Sequence, residues 1–312
     1  MDQKSDKNTL FSPKRIFEFN GKQMDFTIPR VMGILNVTPD SFYDGSNASP
    51  TVPLSKLERG NRGQGVKGGE AGAWITKVAE MIMQGAYIID IGAVSTRPGA
   101  PEVGIEEEKR RLVPVLKGIR KSYPDLIISV DTYRAEIARI AAGEGADIIN
   151  DISGGTMDPD MHSAIVHLQI PYVIMHIRGT PANMQVNPVY DDVVKDVFGF
   201  LMQQAGKLEN SGHSRIIIDP GFGFGKTVTH NYQLLEKLDV IVAAGYPVLA
   251  GLSRKSMINR VLNIKPEEAL NGTTVLNTIA LLKGVSILRV HDVKEAVEAI
   301  RLVNFANFVP SK

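Results

Sequence analysis

The sequence predicts a (β/α)8 (TIM) barrel with an N-terminal β-hairpin, and three observations carry that prediction. Eight short apolar runs alternate with helical stretches along 312 residues. Four of the runs are β-branched and end in a carboxylate or amide: Ile88-Ile89-Asp90, Ile128-Ser129-Val130-Asp131, Ile148-Ile149-Asn150-Asp151 and Ile216-Ile217-Ile218-Asp219. The last of them runs into a glycine-rich turn, Pro220-Gly221-Phe222-Gly223-Phe224-Gly225. Polar groups at the C-terminal ends of buried strands mark the face where a parallel barrel builds its site, and a barrel needs roughly 250 residues. The alternation alone argues only for a parallel sheet. A doubly wound open sheet is the alternative it leaves open.

The hairpin comes first. Arg15–Phe19 and Met24–Ile28 alternate apolar and polar side chains around Asn20-Gly21, a dipeptide suited to the type I′ turn. A hairpin ahead of the first barrel strand is placed to plug the barrel's bottom. Strands are expected at 31–36, 86–91, 126–131, 147–151, 171–176, 215–219, 247–251 and 286–290. Helices are expected at 74–84, 105–121, 134–144, 159–168, 190–211, 231–243, 266–283 and 293–307, several opening near Thr132, Asp158 and Asp292 as candidate caps. No domain boundary interrupts the series. Residues 1–14 are expected to be a flexible N-terminus and 15–312 a single catalytic domain. Residues 46–73 break the rhythm with a glycine-rich insertion, read either as a mobile surface loop or as a lid over substrate.

Composition narrows the function. Apolar residues make up 43%, and 35 basic residues against 34 acidic ones leave a net charge of +1. No overall field favours nucleic acid or an anionic membrane. No apolar run reaches the about 18 residues of a membrane span, and Met1–Asn8 is too polar for a secretory signal. With no cysteine there is no disulfide, thiolate metal site or cysteine nucleophile. A cytoplasmic enzyme is the expectation. Two apparent motifs fail. Gly223–Thr227 looks like a phosphate loop, but the Walker pattern requires glycine where Pro220 stands. Gly251-Leu252-Ser253-Arg254-Lys255 lacks the second glycine of a nucleophile elbow.

The candidate site is a ring of side chains at strand ends: Asn36, Asp90, Asp131, Asn150, Asp151 and Asp219. One such Asp is commonly a helix N-cap, and Asp131 beside Thr132 suits that role. Six together suit a ligand rich in N–H donors, because a carboxylate can take two parallel N–H bonds in a fork. Cations follow the last two strands: Arg254 and Lys255, then Arg289 and His291. Arg289 and His291 alternate with Leu288 and Val290, so they leave one side of the strand and can meet at one anion. Thr38–Gly45 and Ser95–Gly99 combine turn formers with functional side chains, as in loops that order over a ligand.

These pieces resemble the dihydropteroate synthase family of pterin-binding barrels. The match runs from Met32-Gly33-Ile34-Leu35-Asn36-Val37-Thr38-Pro39-Asp40-Ser41-Phe42 through Asp90-Ile91-Gly92, Ser95-Thr96-Arg97-Pro98-Gly99, Val130-Asp131-Thr132 and Ile149-Asn150-Asp151. It continues through Val173-Ile174-Met175-His176, Arg178-Gly179-Thr180-Pro181, Asp219–Gly225, Ser253-Arg254-Lys255-Ser256 and Arg289-Val290-His291-Asp292. The resemblance implies joining of 4-aminobenzoate to 6-hydroxymethyl-7,8-dihydropterin diphosphate with release of pyrophosphate. It implies that Asp131, Asn150, Asp219, Lys255 and Met175 hold the pterin, and that Thr96, Arg289 and His291 hold the diphosphate. Asn36 would bind Mg²⁺. Phe42, Arg97, Pro98, Phe224 and Ser256 would form the aminobenzoate pocket. Asp131, Asp44 and Lys255 would act at the reacting centre. It further implies small-molecule substrates, sulfonamide inhibition and a homodimer formed through the late helices, without nucleic-acid or membrane partners. The chain departs from the family at Ala93-Val94, where Gly-Glu is usual, and in the length of the 46–73 insertion. A pterin-dependent methyltransferase and a non-catalytic pterin-binding paralogue are the competing readings.

Overall fold

A computed structural model describes residues 16–38, 70–96, 100 and 102–308. The hairpin is present as β1 (Ile16–Phe19) and β2 (Lys22–Asp25), paired antiparallel. Asn20 and Gly21 both take positive φ, 48° and 72°, as a type I′ turn requires.

Eight parallel strands follow: β3 (Arg30–Asn36), β4 (Ile88–Gly92), β5 (Ile127–Asp131), β6 (Ile148–Asp151), β7 (Tyr172–Met175), β8 (Ile216–Asp219), β9 (Leu249–Ala250) and β10 (Ile287–Val290). Their spatial order is β8-β7-β6-β5-β4-β3-β10-β9. A parallel bridge between Ile218 and Val248 joins the two ends, with the Ile218 N–H donating to the Pro247 carbonyl at 3.0 Å. The sheet is therefore a closed barrel, and the open-sheet alternative is excluded.

The helices form the outer layer: α1 (Glu70–Gln84), α2 (Ile105–Ser122), α3 (Ala135–Gly143), α4 (Met161–Leu168), α5 (Val193–Asn210), α6 (Val228–Glu236), α7 (Leu238–Val242), α8 (Ser256–Leu262), α9 (Leu270–Leu282) and α10 (Val293–Phe308). The stretch expected as one helix at 231–243 is two, divided at Lys237. The stretch at 266–283 opens with a 3-10 turn, Pro266–Glu268, before α9. The short α8, which opens at Ser256, lies outside the helix ranges expected from the sequence. Among the described residues no helix is long and apolar enough to cross a membrane.

The alternation of strand side chains divides the core in two. Outward-facing Val31, Leu35, Ile89, Ile91, Ile128, Val130, Ile149, Ile174, Ile216 and Ile218 pack under the helices. Inward-facing Met32, Ile88, Ile127, Ile148, Val173, Ile217, Leu249 and Ile287, one from each strand, form an apolar floor. Phe17, Phe19, Met24 and Phe26 of the hairpin segment close that floor from below, with Phe17 and Phe26 edge to face at 5.6 Å. Burying such a side chain is worth about 1.5–3 kcal/mol. Lys22 of β2 adds a polar staple: it meets Asp147 at 2.9 Å, and Arg120 donates to the same carboxylate at 2.5 Å.

Two expectations about strand-end polar groups are corrected here. Asp151 faces outward, because it neighbours inward-facing Asn150. Its carboxylate accepts from the Tyr172 hydroxyl at 2.6 Å, from Ser153 N–H and Oγ at 2.7 Å, and from Gly155 N–H at 2.8 Å. It shapes a turn and takes no place in the mouth. Thr132 is not a helix cap either: its hydroxyl donates to Glu108 at 2.8 Å, and Asp158 reaches across to accept from the first N–H of α3 at 2.7 Å. That leaves Asp131 free of capping.

Candidate active site

Above the apolar floor the same strands turn polar. Two residues beyond Ile88 stands Asp90, two beyond Ile127 stands Ser129 and then Asp131, and two beyond Ile148 stands Asn150. Two beyond Ile217 stands Asp219, and two beyond Ile287 stands Arg289. A side-chain period of two puts all of them on the barrel's inner face. Asn36 and Asp131 lie on opposite sides of Gly92: a methyl group there would meet Asn36 Oδ1 at 3.5 Å and Asp131 Oδ2 at 3.9 Å.

Arg289 is the hub. Its Nε donates to Asp90 Oδ2 at 2.6 Å and its Nη2 to Asp131 Oδ2 at 2.7 Å. Asn150 Nδ2 donates to the same Asp90 oxygen at 3.2 Å. Asp90 is wholly buried, and its Oδ1 has no hydrogen-bond partner among the described residues. Burial works against the Arg289 cation, but Asp90 and then Asp131 outweigh it and hold the guanidinium charged. Burial raises Asp131 to about 7, although the Arg289 charge opposes the rise.

Across the mouth, Lys255 faces Asp219. Burial pushes the Lys255 ammonium down to about 8, with Asp219 pulling it back up. Burial likewise raises Asp219, against the pull of Lys255 and the N–H of Gly221, which donates to its Oδ1 at 2.7 Å. The Lys255 Nζ donates to the Phe222 carbonyl and lies 4.6 Å from the centre of the Phe224 ring. Met175 and Phe224 belong to one small apolar cluster with Tyr133, Ile152, Met157, Ile177 and Met184, separate from the main core. Acids, amides and cations thus surround a mouth whose β7–β8 side is greasy. That combination suits a flat polar heterocycle.

The loop after β8 is shaped from within. Gly221 (φ 69°) lies so close to the loop after β7 that a Cβ would meet the His176 carbonyl oxygen at 2.0 Å. Gly225 (φ 62°) lies equally close, 2.5 Å from the Arg178 carbonyl oxygen by the same measure. Buried Lys226 locks the contact: its Nζ donates to Gly221 O at 2.8 Å, Phe224 O at 3.1 Å and His176 O at 3.3 Å, and lies 3.0 Å from His176 Nδ1. Burial and then the Lys226 charge hold His176 down at about 3, so its imidazole is neutral. Tyr190 donates to Gly225 O at 2.8 Å.

The cations after β9 and β10 separate. Arg254 turns away from the mouth and grips Asp292 with both ends of its fork, at 2.9 and 2.7 Å. His291 stands at the open rim with Nδ1 3.0 Å from Ser253 Oγ. Ser256 is exposed as the first residue of α8, and Thr96 is half-buried after β4. Phe42, Asp44, Arg97 and Pro98 lie outside the described residues. Among the described residues no three His, Asp or Glu side chains gather into a metal cluster.

Residues 63–291 match the family model described as "Pterin binding enzyme". The dihydropteroate synthase of Escherichia coli (strain K12) is 42% identical over 285 residues, covering 91% of this chain and 93% of that protein. The chain belongs to the dihydropteroate synthase family. Solved members superpose closely. The Yersinia pestis enzyme in a sulfonamide drug complex gives a TM-score of 0.83 at 37% identity, covering 94% of this chain and all of that one. The Xanthomonas albilineans enzyme with 4-aminobenzoic acid gives 0.82 at 36%, covering 95% and 99%. As a member of this family, the chain is a transferase.

Three side chains of the dihydropteroate synthase mouth carry no role in the sequence reading. Asp90 was placed in the ring without a role, although its inward parity with Gly92 marks it as a deep partner for a cation. Lys226 was set aside with the failed phosphate motif. A buried lysine in a glycine-rich turn is the signal that it binds carbonyl groups instead. Ser253 carried no signal of its own.

Proposed function

We propose that the mouth joins 4-aminobenzoate to 6-hydroxymethyl-7,8-dihydropterin diphosphate, giving 7,8-dihydropteroate and pyrophosphate. The feature that supports this reading is the place of Asn150, Asp219 and Lys255 at one barrel mouth, with Met175 and Phe224 beside them. Asp219 and Asn150 accept from and donate to the pterin's amide edge. Lys255 donates to a ring acceptor, and Met175 packs on the ring face. Burial raises Asp219, and a paired N–H edge on the ligand supplies the donors that restore its anion.

The amine of 4-aminobenzoate forms a C–N bond to the pterin methylene as the C–O bond to the diphosphate breaks. The amine is neutral at pH 7, so no strong base is needed, and the proton lost after bond formation passes to water. Positive charge developing on the pterin side is met by Asp131 and Asp90. Negative charge developing on the diphosphate is met by Arg289, His291 and Thr96. Phe224, Ser256, Phe42, Arg97 and Pro98 bound the aminobenzoate, and Asp44 acts from the first loop.

The residues also fit Mg²⁺. Asn36 presents an amide oxygen close to the Asp131 carboxylate across Gly92. Mg²⁺ characteristically takes one or two protein oxygens and completes its shell with substrate phosphate and water. Asn36 would hold the ion, and the bound ion would neutralise charge on the leaving diphosphate. Residues 15–312 work as one catalytic domain, a reading supported by the single barrel of the described residues; residues 1–14 and most of 46–73 lie outside the described residues. The enzyme works in the cytoplasm, a placement supported by a chain without cysteine. A homodimer through the late helices is supported by exposed Leu302 and Phe305 on α10, 72% and 73% accessible.

Release of pyrophosphate on mixing both substrates with Mg²⁺ tests the reaction, and pterin binding without turnover would overturn it. Sulfonamides should compete with 4-aminobenzoate. Inhibition independent of aminobenzoate concentration would remove that pocket from the reading.

A further inference from the structure

We infer that Ser253 is a positioning residue that fixes the tautomer of His291, so that the imidazole presents an Nε2–H donor to the diphosphate. The inference rests on the diphosphate reading above and concerns how this chain prepares one of its groups.

Ser253 lies just beyond β9 and is only 6% exposed. Its Oγ accepts from the backbone N–H of His291 at 3.2 Å and lies 3.0 Å from that residue's Nδ1. A serine hydroxyl has one proton to give and two lone pairs. If Nδ1 carried the ring proton, Oγ would accept both the backbone N–H and Nδ1–H. The hydroxyl proton would then need another acceptor, and none stands within reach among the described residues. A buried donor without a partner costs about 1–3 kcal/mol. If Nδ1 is bare, the hydroxyl donates to it and every group is paired. The ring proton then sits on Nε2, at the far side of the ring.

That choice matters at the rim. Phosphate oxygens only accept, so Nε2–H makes a bond where a bare Nε2 would repel. Arg289, two residues earlier on this strand face, already gives two of its donors to Asp90 and Asp131. A preset neutral donor at His291 therefore adds a bond that Arg289 does not supply. The surrounding protein and then the Arg289 charge lower His291 to about 4, in keeping with a neutral ring.

The test uses full-length protein labelled with [¹⁵N]histidine. Long-range ¹H–¹⁵N NMR reads the ring tautomer, and His291 is assigned by the signal lost in His291→Gln. The expected wild-type result is Nε2–H, with a mixed tautomer population in Ser253→Ala and the wild-type pattern in Ser253→Thr, which keeps the hydroxyl. Calorimetry should show pyrophosphate binding weakened by about three- to tenfold in Ser253→Ala, the range of one neutral hydrogen bond. Binding of 6-hydroxymethyl-7,8-dihydropterin, which has no diphosphate, should be unchanged. An Nδ1–H tautomer in the wild-type protein overturns the inference, and it does so without any variant. So does Ser253→Ala with an unaltered tautomer or unaltered pyrophosphate affinity. Wild-type protein that binds neither pterin nor pyrophosphate overturns the functional reading and this inference with it. Normal pterin binding with the wrong tautomer overturns this inference alone.

Discussion

The floor and the mouth of the barrel are built from the same strands, two residues apart, yet they obey opposite rules. At the floor, Met32, Ile88, Ile127, Ile148, Val173, Ile217, Leu249 and Ile287 meet hairpin aromatics, and each contact is complete within the chain. At the mouth, Asp90, Asp131 and Asp219 are drawn out of water beside Arg289 and Lys255. Asp90 Oδ1 has no hydrogen-bond partner among the described residues. Burial raises Asp131 and Asp219 and lowers Lys255. The floor is finished by folding. The mouth is finished by a ligand. Removing a floor side chain should therefore injure stability alone, while removing a mouth side chain should injure binding and can leave stability unharmed.

The sharpest break of this contrast is Asp219→Asn. Hydrogen bonds to a charged acceptor contribute about 1.5–3 kcal/mol each, so pterin affinity should fall by about two orders of magnitude. Calorimetry with a pterin analogue giving wild-type affinity would remove Asp219 from the pocket. The floor counterpart is Met24→Ala. It should cost about 2–5 kcal/mol of stability with kcat/KM per folded molecule unchanged. A variant as stable as the parent would mean that the hairpin is not the barrel's plug. Lys226→Met lies between the two regions. It strips carbonyl groups of a buried donor at about 1–3 kcal/mol, and through Phe224 it should raise KM for aminobenzoate more than it lowers kcat. A change in stability with both constants intact would confine Lys226 to scaffolding.

The smallest effect is one of pH. Lys255 sits near 8 in the fold against an ordinary 10.5. Between those values the unfolded chain binds more protons, so stability should rise with pH across that window. Below about 8 the penalty of burying the ammonium is fully present. Ligand-free Lys255→Met should lack this rise in melting temperature between pH 8 and 10.5. An identical slope in both proteins would place the charge elsewhere.

Most of the barrel was legible because a period of two in a β-branched run declares which side chains face inward. That period places Arg289 on the inner face, while Asp131, Asn150 and Asp219 declare themselves by ending apolar runs, and all four stand on the inner face of one mouth. Asp151 was misplaced for want of the same rule: its neighbour Asn150 had taken the inner face. Closure of the barrel follows from the count of eight strands, but the sequence run at 247–251 overstates β9, which pairs over only Leu249–Ala250. Lys226 was hidden because its partners are backbone carbonyl groups, which every sequence contains. Ser253 was hidden because its meaning lies in a backbone N–H and a ring nitrogen brought together from another strand.

The hairpin plug also sets an order of events. Phe17 and Phe19 leave the ribosome first, yet their apolar seat includes Ile287 on β10, the last strand to be made. Contacts so distant in sequence form slowly. The seat of Phe17, Phe19, Met24 and Phe26 is complete only once Ile287 has been made. During synthesis, then, the segment that later seals this enzyme is the part of it most in need of a chaperone.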